Sequence, residues 1–476
     1  MLCCKKKYFI LYFFYFFNFL LSMLNFSSTI FAGITSLGGA VYVVRVSGSD
    51  ISSLQKIIPT FNTIKNKEGK FVANIIDPES DNESKILDQA LIVNFIAPRS
   101  FTGENTVEIS LHGGKYIARR INQLMVSACG FRHADNGEFS RRAFMNGKID
   151  LVAAEGICAA VNAKNEAQHK IASSLLTGKA SKVYASWRLM AIEAMAMLEA
   201  GIDFPEDEIP DDIMQGAINN INNLKNSIEA EIKGFEMCKM AERGIAVALL
   251  GHVNAGKSSL INAITQLDVA IVSDIKGTTR DAVSRQMEIG GYEVTLTDTA
   301  GIRQTDDYIE QKGIERSLKA MDNSDIRLFV INSAKDEFLQ NIKNVNIKPT
   351  DAIILNKIDL LDNDHVQVQE ISKQFGCTVI ASSALSGRGI EEIKRHLHDT
   401  ISHSFAMQES PCVANDRHHA IMSSVLSEIT AIQWHMPAEI IVGHLQNIAH
   451  SLRDIIGSVN AENILDSVFS KFCIGK

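Results

Sequence analysis

An eight-residue loop, GHVNAGKS at Gly251–Ser258, has the composition of a phosphate-binding site. It follows an apolar run at 245–250 that predicts a strand, and it leads into a stretch with helical spacing. The glycines let backbone N–H groups close around a polyphosphate, while Lys257 can reach the outer phosphates and Ser258 can offer a hydroxyl to Mg²⁺. The loop therefore predicts a nucleoside triphosphate site.

Two later motifs indicate which base is bound. Asn356-Lys357-Ile358-Asp359 closes a second apolar strand, and the carboxylate of Asp359 can accept both the ring N–H and the exocyclic amine of guanine. Adenine has neither donor there, and a site built to pair such donors rejects the analogue lacking them by roughly 10⁴-fold or more. Ser383-Ala384, at the end of the next strand, would add a backbone contact to the base. These motifs predict GTP as the ligand.

The segments between these motifs are expected to hold the metal and to sense the γ-phosphate. In Asp298-Thr299-Ala300-Gly301, the carboxylate would hold Mg²⁺ through water and the Gly301 amide would contact the γ-phosphate. Thr279, in GTTRD, would close the second side of the metal.

The position that carries a water-orienting Gln in Ras-type switches is Ile302 here. Either hydrolysis is slow, or another polar residue enters the site, with charge neutralisation supplied by a metal ion. The candidates for that polar residue are Arg303, Gln304, Asp306, Asp307 and Glu310.

Composition limits the class of protein. A chain of 476 residues should hold about three domains. A net charge of -8 argues against a wholly basic surface, so a nucleic-acid partner must meet a local patch. The eight cysteines include no CxxC pair, which indicates reduced thiols in a cytosolic protein rather than a disulfide framework.

The N-terminal extension, residues 1–26, differs from the rest of the chain. Lys5–Lys7 precede an apolar stretch of about 17 residues, shorter than the roughly 20 that a membrane span needs. Either this is an anchor or signal sequence, or the start codon is placed too early. We favour Met23 as the initiator and expect no membrane association.

The remaining chain predicts a multidomain protein of mixed α/β and α+β class. Strands are expected within 29–47, 90–97 and 107–111, and helices at 54–57 and 116–125. Helical spacing covers 150–201, 213–241, 417–436, 438–456 and 461–469, and an acidic link lies at 203–212. The nucleotide motifs fall between the two helical regions, so the P-loop domain is expected to be an insertion within a helical domain.

Several long motifs together resemble one family. TIFAGITS, VVRVSG, FTGENTVEISLHGG, GEFSRRAFMNGKIDL, GHVNAGKSS, GTTRD, DTAGIR and the terminal FCIGK resemble the MnmE (TrmE) family of tRNA-modification GTPases from about residue 29 to 476. The resemblance implies an N-terminal α/β folate-binding and dimerising domain (27–149), a helical domain in two parts (150–243 and 405–476) and an inserted Ras-like GTPase domain (244–404).

The resemblance also implies a folate site. Taken alone, Arg45, Glu108 and Lys148 are typical of solvated charges, but with Lys476 they match the positions that hold 5-formyl- or 5,10-methylene-tetrahydrofolate. A carboxylate suits the pterin, and cations suit the glutamate part of that ligand. Cys473 matches the C-terminal cysteine that the family requires for modification.

GTP hydrolysis in this family follows face-to-face dimerisation of two GTPase domains, with K⁺ in the place of an arginine finger. Asn254 matches the K⁺ ligand of the phosphate loop, and Glu310 matches the water-orienting glutamate. The rest of the K⁺-binding loop is Ser273, Ile275 and Thr278, and the Mg²⁺ ligands are Ser258 and Thr279. The full GTP-binding set is Asn254, Ala255, Gly256, Lys257, Ser258, Ser259, Ser273, Thr278, Thr279, Asp298, Thr299, Ala300, Gly301, Asn356, Lys357, Asp359, Ser383 and Ala384. The chain departs from the family at His252-Val253, where Arg-Pro is more usual.

The product implied by the resemblance is an aminomethyl or carboxymethylaminomethyl group on C5 of the wobble uridine of certain tRNAs. The partner would be the flavoprotein MnmG, joined to a homodimer of this chain in a heterotetramer. Arg119, Arg120, Arg141 and Arg142 are either phosphate contacts for tRNA or plain solvated surface. Two rival functions are a ribosome-assembly GTPase of the Era or Der type and a membrane-anchored GTPase that recruits partners.

Overall fold

The computed structural model describes residues 28–81, 85–203, 212–252, 254–266, 284–298, 324–332, 336, 338–342, 345–361, 364–404, 411–457 and 462–476. The chain forms two compact units. The first contains the residues up to Cys158, Leu175–Ala185 and His450–Lys476, and the second contains Ala159–Ser174 and Ser186–Ala449. The predicted multidomain α/β and α+β class is confirmed, whereas the predicted domain boundaries stay a prediction.

A six-stranded sheet organises the first unit. Its strands are β1 (Ile30–Gly33), β2 (Val41–Gly48), β3 (Gly69–Ile76), β4 (Ile86–Phe95), β5 (Asn105–His112) and β6 (Arg132–His133). The spatial order is β3-β4-β5-β2-β1-β6, antiparallel except for the short parallel pair of β1 and β6. The strands expected within 29–47, 90–97 and 107–111 are confirmed. β3 lies outside the predicted strands because Lys70 and Asn74 on its exposed face interrupt the apolar pattern.

One face of this sheet carries the core of the first unit. Val44, Val46 and Ile109 are fully buried, and they pack with helix α2 (Lys115–Ser127) through residues such as Ile121. The alternation of side chains along each strand then places Arg45 and Glu108 on the opposite face. Two shorter helices, α1 (Phe61–Ile64) and α3 (Glu138–Met145), and a 3₁₀ turn at Ser52–Lys56 complete this part of the unit.

The rest of the chain from residue 151 contains eleven helices among the residues that the structure describes. They are α4 (Leu151–Asn162), α5 (Glu166–Leu176), α6 (Lys179–Asp203), α7 (Asp212–Arg243), α8 (Lys257–Gln266), α9 (Phe338–Ile342), α10 (Asp364–Phe375), α11 (Ile390–Ser404), α12 (Asp416–Ala431), α13 (Ala438–Ile456) and α14 (Glu462–Phe469). The helical spacing at 150–201 resolves into three helices. Asn165 caps the start of α5, since its Oδ1 accepts from the backbone N–H of Gln168 at 2.9 Å, and Gly178, with φ +71°, separates α5 from α6.

The second unit contains a mostly parallel sheet. Its strands are β7 (Ile245–Leu250), β8 (Ser284–Ile289), β9 (Tyr292–Asp298), β10 (Ile326–Ile331), β11 (Ala352–Leu355) and β12 (Thr378–Ala381), in the order β12-β11-β10-β7-β9-β8. Only β8, at one edge, is antiparallel to its neighbour. β10 is buried at every position. Its sequence, IRLFVI, therefore lacks the alternation of polar and apolar residues that a strand with one face in solvent shows. The parallel strands end at one common edge of the sheet.

A search for membrane spans found no helix of sufficient length and hydropathy in the part of the chain that the structure describes. The apolar N-terminal stretch at 8–24 lies outside the described residues.

Three of the four arginines considered for phosphate contact are held inside the first unit. Arg142 is 1% exposed and binds Glu104 and Glu138, and Arg141 pairs with Asp466. Arg120 donates to both oxygens of Asp77, at 2.6 and 2.8 Å. For Arg120 and Arg142 the structure therefore supports neither phosphate contact nor a plain solvated surface.

The Arg120 pair leads to a stability prediction. Replacing Arg120 by Gln should lower the midpoint of thermal unfolding by roughly 2–8 °C, because the buried Asp77 carboxylate would lose its charged partner. The matched control is Arg99→Gln, which breaks the ion pair between Arg99 and Glu68. Because the Arg99 side chain is 76% exposed, this variant should lower the unfolding midpoint much less. Equal shifts in the two variants would contradict the role given to the Arg120 pair.

The same pair predicts a pH dependence. The hydrogen bonds from Arg120 hold the pKa of Asp77 below its ordinary value of 3.8. Because the pKa is lower in the folded chain than in the unfolded one, the stabilisation is fully present above about pH 4 and is lost as the pH falls further. The difference in unfolding midpoint between the wild type and Arg120→Gln should therefore shrink as the pH is lowered from 5 towards 3.

Candidate functional site

The phosphate loop of the second unit lies at the common edge where the parallel strands end. It begins directly after β7. Both of its glycines lie too close to neighbouring atoms to carry a side chain. A Cβ at Gly251 would lie 2.2 Å from the carbonyl oxygen of Val330, and a Cβ at Gly256 would lie 2.4 Å from Nδ2 of Asn356. Gly256 also adopts φ +89°, which glycine favours. The loop therefore needs glycine at both positions.

Lys257 is folded over the loop that it belongs to. Its Nζ donates to the carbonyl oxygens of Gly251 and His252, each at 2.8 Å, and the residue is only 4% exposed. Burial lowers the pKa of Lys257 below its ordinary value, and the charge of Asp298 acts in the opposite direction. An ammonium group has three donors, so one N–H remains for a phosphate oxygen.

Ser258 and Asp298, the two residues predicted to bind Mg²⁺ in this part of the site, are in contact. The hydroxyl of Ser258, in the first turn of α8, donates to Oδ2 of Asp298 at the end of β9. Asp298 is 1% exposed. A hydroxyl and a carboxylate are hard oxygen donors of the kind that Mg²⁺ prefers, so the two residues fit the predicted ion.

The base-recognition motif is tied to the phosphate loop by two hydrogen bonds. Asn356 donates from Nδ2 to the carbonyl of Ala255 at 2.9 Å, and its Oδ1 accepts from the backbone N–H of Ala384 at 3.3 Å. Lys357 donates from Nζ to the carbonyl of Asn254 at 2.7 Å. The motif therefore lies within reach of the same nucleotide as the loop.

Asp359 is oriented by the next strand. Its Oδ1 accepts from the hydroxyl of Ser383 at 2.5 Å, and the hydroxyl of Ser383 in turn accepts from the N–H of Ser386 at 3.2 Å. A carboxylate held at one oxygen keeps acceptor sites for two neighbouring N–H donors. This arrangement is suited to the guanine edge.

Of the remaining predicted GTP and metal residues, the structure describes Asn254 and Ser259. Asn254 is exposed and has φ +68°, and Ser259 is exposed on α8. The other predicted residues lie outside the described part of the chain: Ser273, Ile275, Thr278, Thr279, Thr299, Ala300, Gly301 and Glu310.

A contact that the sequence analysis missed joins α5 to the turn between β8 and β9. The backbone N–H of Ala167 donates to the carbonyl of Gly291 at 2.9 Å, and Gln168 donates from Nε2 to the carbonyl of Ala241 at 2.9 Å. Gly290 and Gly291 both have positive φ, as a two-residue hairpin turn requires. The Gly-Gly pair between Ile289 and Tyr292 is a sequence signal for that hairpin, but nothing in the sequence specifies its helical partner.

The predicted folate residues of the first unit include one tight pair. Arg45 and Glu108 lie directly opposite each other on β2 and β5, and Nε and Nη2 of Arg45 each lie 2.8 Å from Oε1 of Glu108. Lys148 is exposed and donates from Nζ to the carbonyl of Pro98 at 3.0 Å. Phe101, whose ring centroid lies 5.6 Å from Cζ of Arg45, was not among the predicted residues.

The C-terminal tail docks on the first strand of the same unit. Ile474 forms an isolated antiparallel bridge with Asn136, and a Cβ at Gly475 would lie 2.8 Å from the carbonyl oxygen of Gly33 at the end of β1. Cys473 is exposed, and the backbone N–H of Lys476 donates to its carbonyl oxygen at 3.3 Å. The tail thus ends beside the strand that pairs with the one bearing Arg45.

Comparison with known proteins gives matches to two family models. The one described as "GTP-binding protein TrmE N-terminus" matches residues 29–148, and the one described as "MnmE helical domain" matches residues 151–473. The chain is 34% identical over 451 residues to the tRNA modification GTPase MnmE of Rickettsia rickettsii (strain Sheila Smith), covering 94% of this chain and 100% of that protein. It is 34% identical over 458 residues to the protein of the same name from Orientia tsutsugamushi (strain Boryong), with the same coverage.

A solved structure of Era in complex with MgGDPNP and part of 16S ribosomal RNA is 27% identical over 33% of this chain and 56% of that chain, with a TM-score of 0.27.

Proposed function

The chain belongs to the MnmE (TrmE) family of tRNA modification GTPases, and we propose that it installs an aminomethyl or carboxymethylaminomethyl group on C5 of the wobble uridine of tRNA. In this proposal a tetrahydrofolate derivative supplies the one-carbon unit, and the flavoprotein MnmG is the partner. Two copies of this chain form a homodimer within the heterotetramer. The matches to the N-terminal and helical family models favour this function over an Era- or Der-type ribosome-assembly switch, which would share only the nucleotide motifs.

The observation that supports the nucleotide half of the proposal is the connection between phosphate loop and base motif. Hydrogen bonds from Asn356 and Lys357 reach the loop at Ala255 and Asn254, so the residues for the phosphates and for guanine form one bonded unit. Lys257 would bind the outer phosphates through its remaining N–H. Asp359 would orient the base through two accepted hydrogen bonds.

Mg²⁺ would be held by Ser258, by Asp298 through water and by Thr279, and when bound it supplies charge neutralisation at the β- and γ-phosphates. Ser258 and Asp298 are already in contact, so both would lie within reach of one ion. Glu310 is proposed to orient the attacking water, in place of the glutamine that Ile302 displaces.

We further propose that K⁺, held by Asn254, Ser273, Ile275 and Thr278, compensates charge in the transition state when two GTPase domains pair. GTP hydrolysis by the purified protein should then be roughly tenfold or more faster in K⁺ than in Na⁺ at equal ionic strength. The Asn254→Ala variant should lose that difference.

The control for the cation experiment is Asn262→Ala, which removes an exposed asparagine from α8, in the same domain. It should retain the full dependence on K⁺. Equal wild-type rates in the two salts would remove the potassium proposal and would favour a switch GTPase activated in another way.

A further inference from the structure

A groove of about 1060 Å³ follows one largely exposed face of helix α2 in the first unit. The helix lines it with Lys115, Arg119, Asn122 and Val126. These residues are spaced by three or four positions, so they form one stripe along the helix. At a rise of about 1.5 Å per residue the stripe is roughly 16 Å long. The groove is therefore long enough for an extended ligand.

The other residues of the groove come from two segments that packing holds in place. Leu37 belongs to the turn between β1 and β2, and this turn accepts a hydrogen bond of 3.0 Å from the N–H of Gly113 at the carbonyl of Ala40. A Cβ at Gly113 would lie 1.7 Å from another carbonyl oxygen of the same turn. The ring of His133, on β6, packs on the buried ring of Phe31 with 4.3 Å between centroids. The shape of the groove thus does not depend on a ligand.

The groove is positively charged, and its charges are not neutralised within the protein. The side chains of Lys115 and Arg119 are exposed and form no hydrogen bond or ion pair with another residue that the structure describes. No carboxylate is among the described residues that line the groove. By contrast Arg120, the next residue of α2, is paired with Asp77 and Glu79. Because the net charge of the chain is -8, this groove is a local exception of the kind that a polyanion requires.

Apolar and amide groups accompany the two cations. Leu37 is 66% exposed and Val126 is 48% exposed, and both line the groove. The exposed amide of Gln123 can donate to a sugar hydroxyl or a base edge. A free inorganic anion would use only the charged groups, whereas a polynucleotide also presents sugars and bases to apolar and amide side chains. The combination favours a nucleic acid.

We propose that this groove binds the phosphodiester backbone of the tRNA substrate, with Lys115 and Arg119 contacting phosphates and with Leu37 and Val126 packing against sugars and bases. This inference rests on the proposed function, which includes a tRNA substrate but no position for it on the chain. The two cations lie one helical turn apart, with about 5–6 Å between Cβ atoms. Exposed cations at that spacing suit a polyanion, because a small ligand is usually enclosed by precisely placed polar groups.

The test is a titration of the full-length protein into a fluorescently labelled, unmodified tRNA transcript with uridine at the wobble position. Fluorescence anisotropy is measured at salt concentrations from about 50 to 200 mM. The double variant Lys115→Gln/Arg119→Gln should bind roughly tenfold more weakly at the lowest salt concentration. The slope of log affinity against log salt should fall by about one for each phosphate contact that is lost. A merely structural role of these residues would not change that slope.

Two further variants separate charge from apolar contact. Lys67→Gln/Lys70→Gln removes two exposed lysines from the same unit and should bind the transcript within about twofold of the wild type, since distant exposed charges are screened. Leu37→Ser should weaken binding by roughly threefold or more but keep the wild-type salt slope, because it removes apolar surface and no charge. An occupant that is only a free anion would not be affected by Leu37→Ser.

The outcomes distinguish the groove from the proposed function. All variants should keep the wild-type unfolding midpoint and rate of GTP hydrolysis. Equal tRNA affinity and salt slope of the wild type and Lys115→Gln/Arg119→Gln would overturn the groove as the docking site, and so would a wild type that does not bind the transcript. A wild type that binds through the groove but does not modify the transcript in the presence of MnmG would contradict the proposed function alone.

Discussion

Replacing Lys257 by methionine is expected to reduce the rate of GTP hydrolysis by roughly 10²–10³-fold, the effect of losing one preorganised donor to developing charge. Methionine keeps much of the apolar stem but cannot donate a hydrogen bond. The loss should be large because Lys257 is 4% exposed and already fixed by two backbone carbonyls, so its charge acts with little screening from water. Steady-state kinetics with GTP would measure kcat and kcat/KM.

The control for Lys257→Met is Lys373→Met, which removes an exposed ammonium from the last turn of α10 in the same domain. It should hydrolyse GTP at the wild-type rate. Because the Lys257 ammonium also bonds the loop itself, thermal unfolding of both variants would show whether the domain is intact. A folded Lys257→Met protein with wild-type kcat would mean that this loop does not bind the reacting phosphates.

Replacing Asp359 by asparagine should change the base preference from guanine to xanthine. The carboxylate accepts two N–H donors of guanine, whereas an amide presents one acceptor and one donor and would pair with the additional carbonyl of xanthine. Affinity for GTP relative to XTP should fall by roughly 10⁴-fold, the scale on which sites reject an analogue that leaves buried polar groups unpaired. Competition binding with GTP, XTP and ATP would measure the change.

Ser383→Ala separates the base contact from its support. This variant keeps the carboxylate of Asp359 but removes the hydroxyl that donates to its Oδ1 at 2.5 Å. It should weaken GTP binding by roughly tenfold or more and leave the preference for guanine intact, because a hydrogen bond to a charged acceptor contributes at least about 1.5 kcal/mol. If Asp359→Asn still preferred GTP over XTP, another residue would be reading the base.

The parts of the fold that could be predicted from the sequence are those where burial imposes a simple pattern. The bounds of β7 and α13 agree with the expected ranges, because a buried parallel strand is a continuous apolar run and α13 is amphipathic over its full length. The proximity of Ser258 and Asp298, 40 residues apart, is also accessible from the sequence, since Asp298 ends one parallel strand and Ser258 lies in the loop-to-helix segment that follows the neighbouring strand.

Contacts that depend on strand register could not be predicted. Arg45 and Glu108 are 63 residues apart, and their pairing requires that β2 and β5 be neighbours in one register. The carboxylates that pair with Arg120 lie more than 40 residues earlier in the chain, and their contact requires that helix α2 pack beside the end of β3. Charge and exposure of a single residue contain no information about such partners, which is why Arg120 was grouped with the exposed Arg119.

The attachment of α5 to the β8–β9 turn gives β9 two fixed ends. One end is Asp298, which accepts a hydrogen bond from Ser258, and the other adjoins Gly291, whose carbonyl accepts from the first turn of α5. Six residues of extended strand lie between these ends, which are about 20 Å apart. An extended strand cannot lengthen further, so β9 holds Asp298 and Gly291 at a constant separation. Any shift of Asp298 along the strand axis would therefore also move Gly291 and reach the first turn of α5 through its hydrogen bond from Ala167.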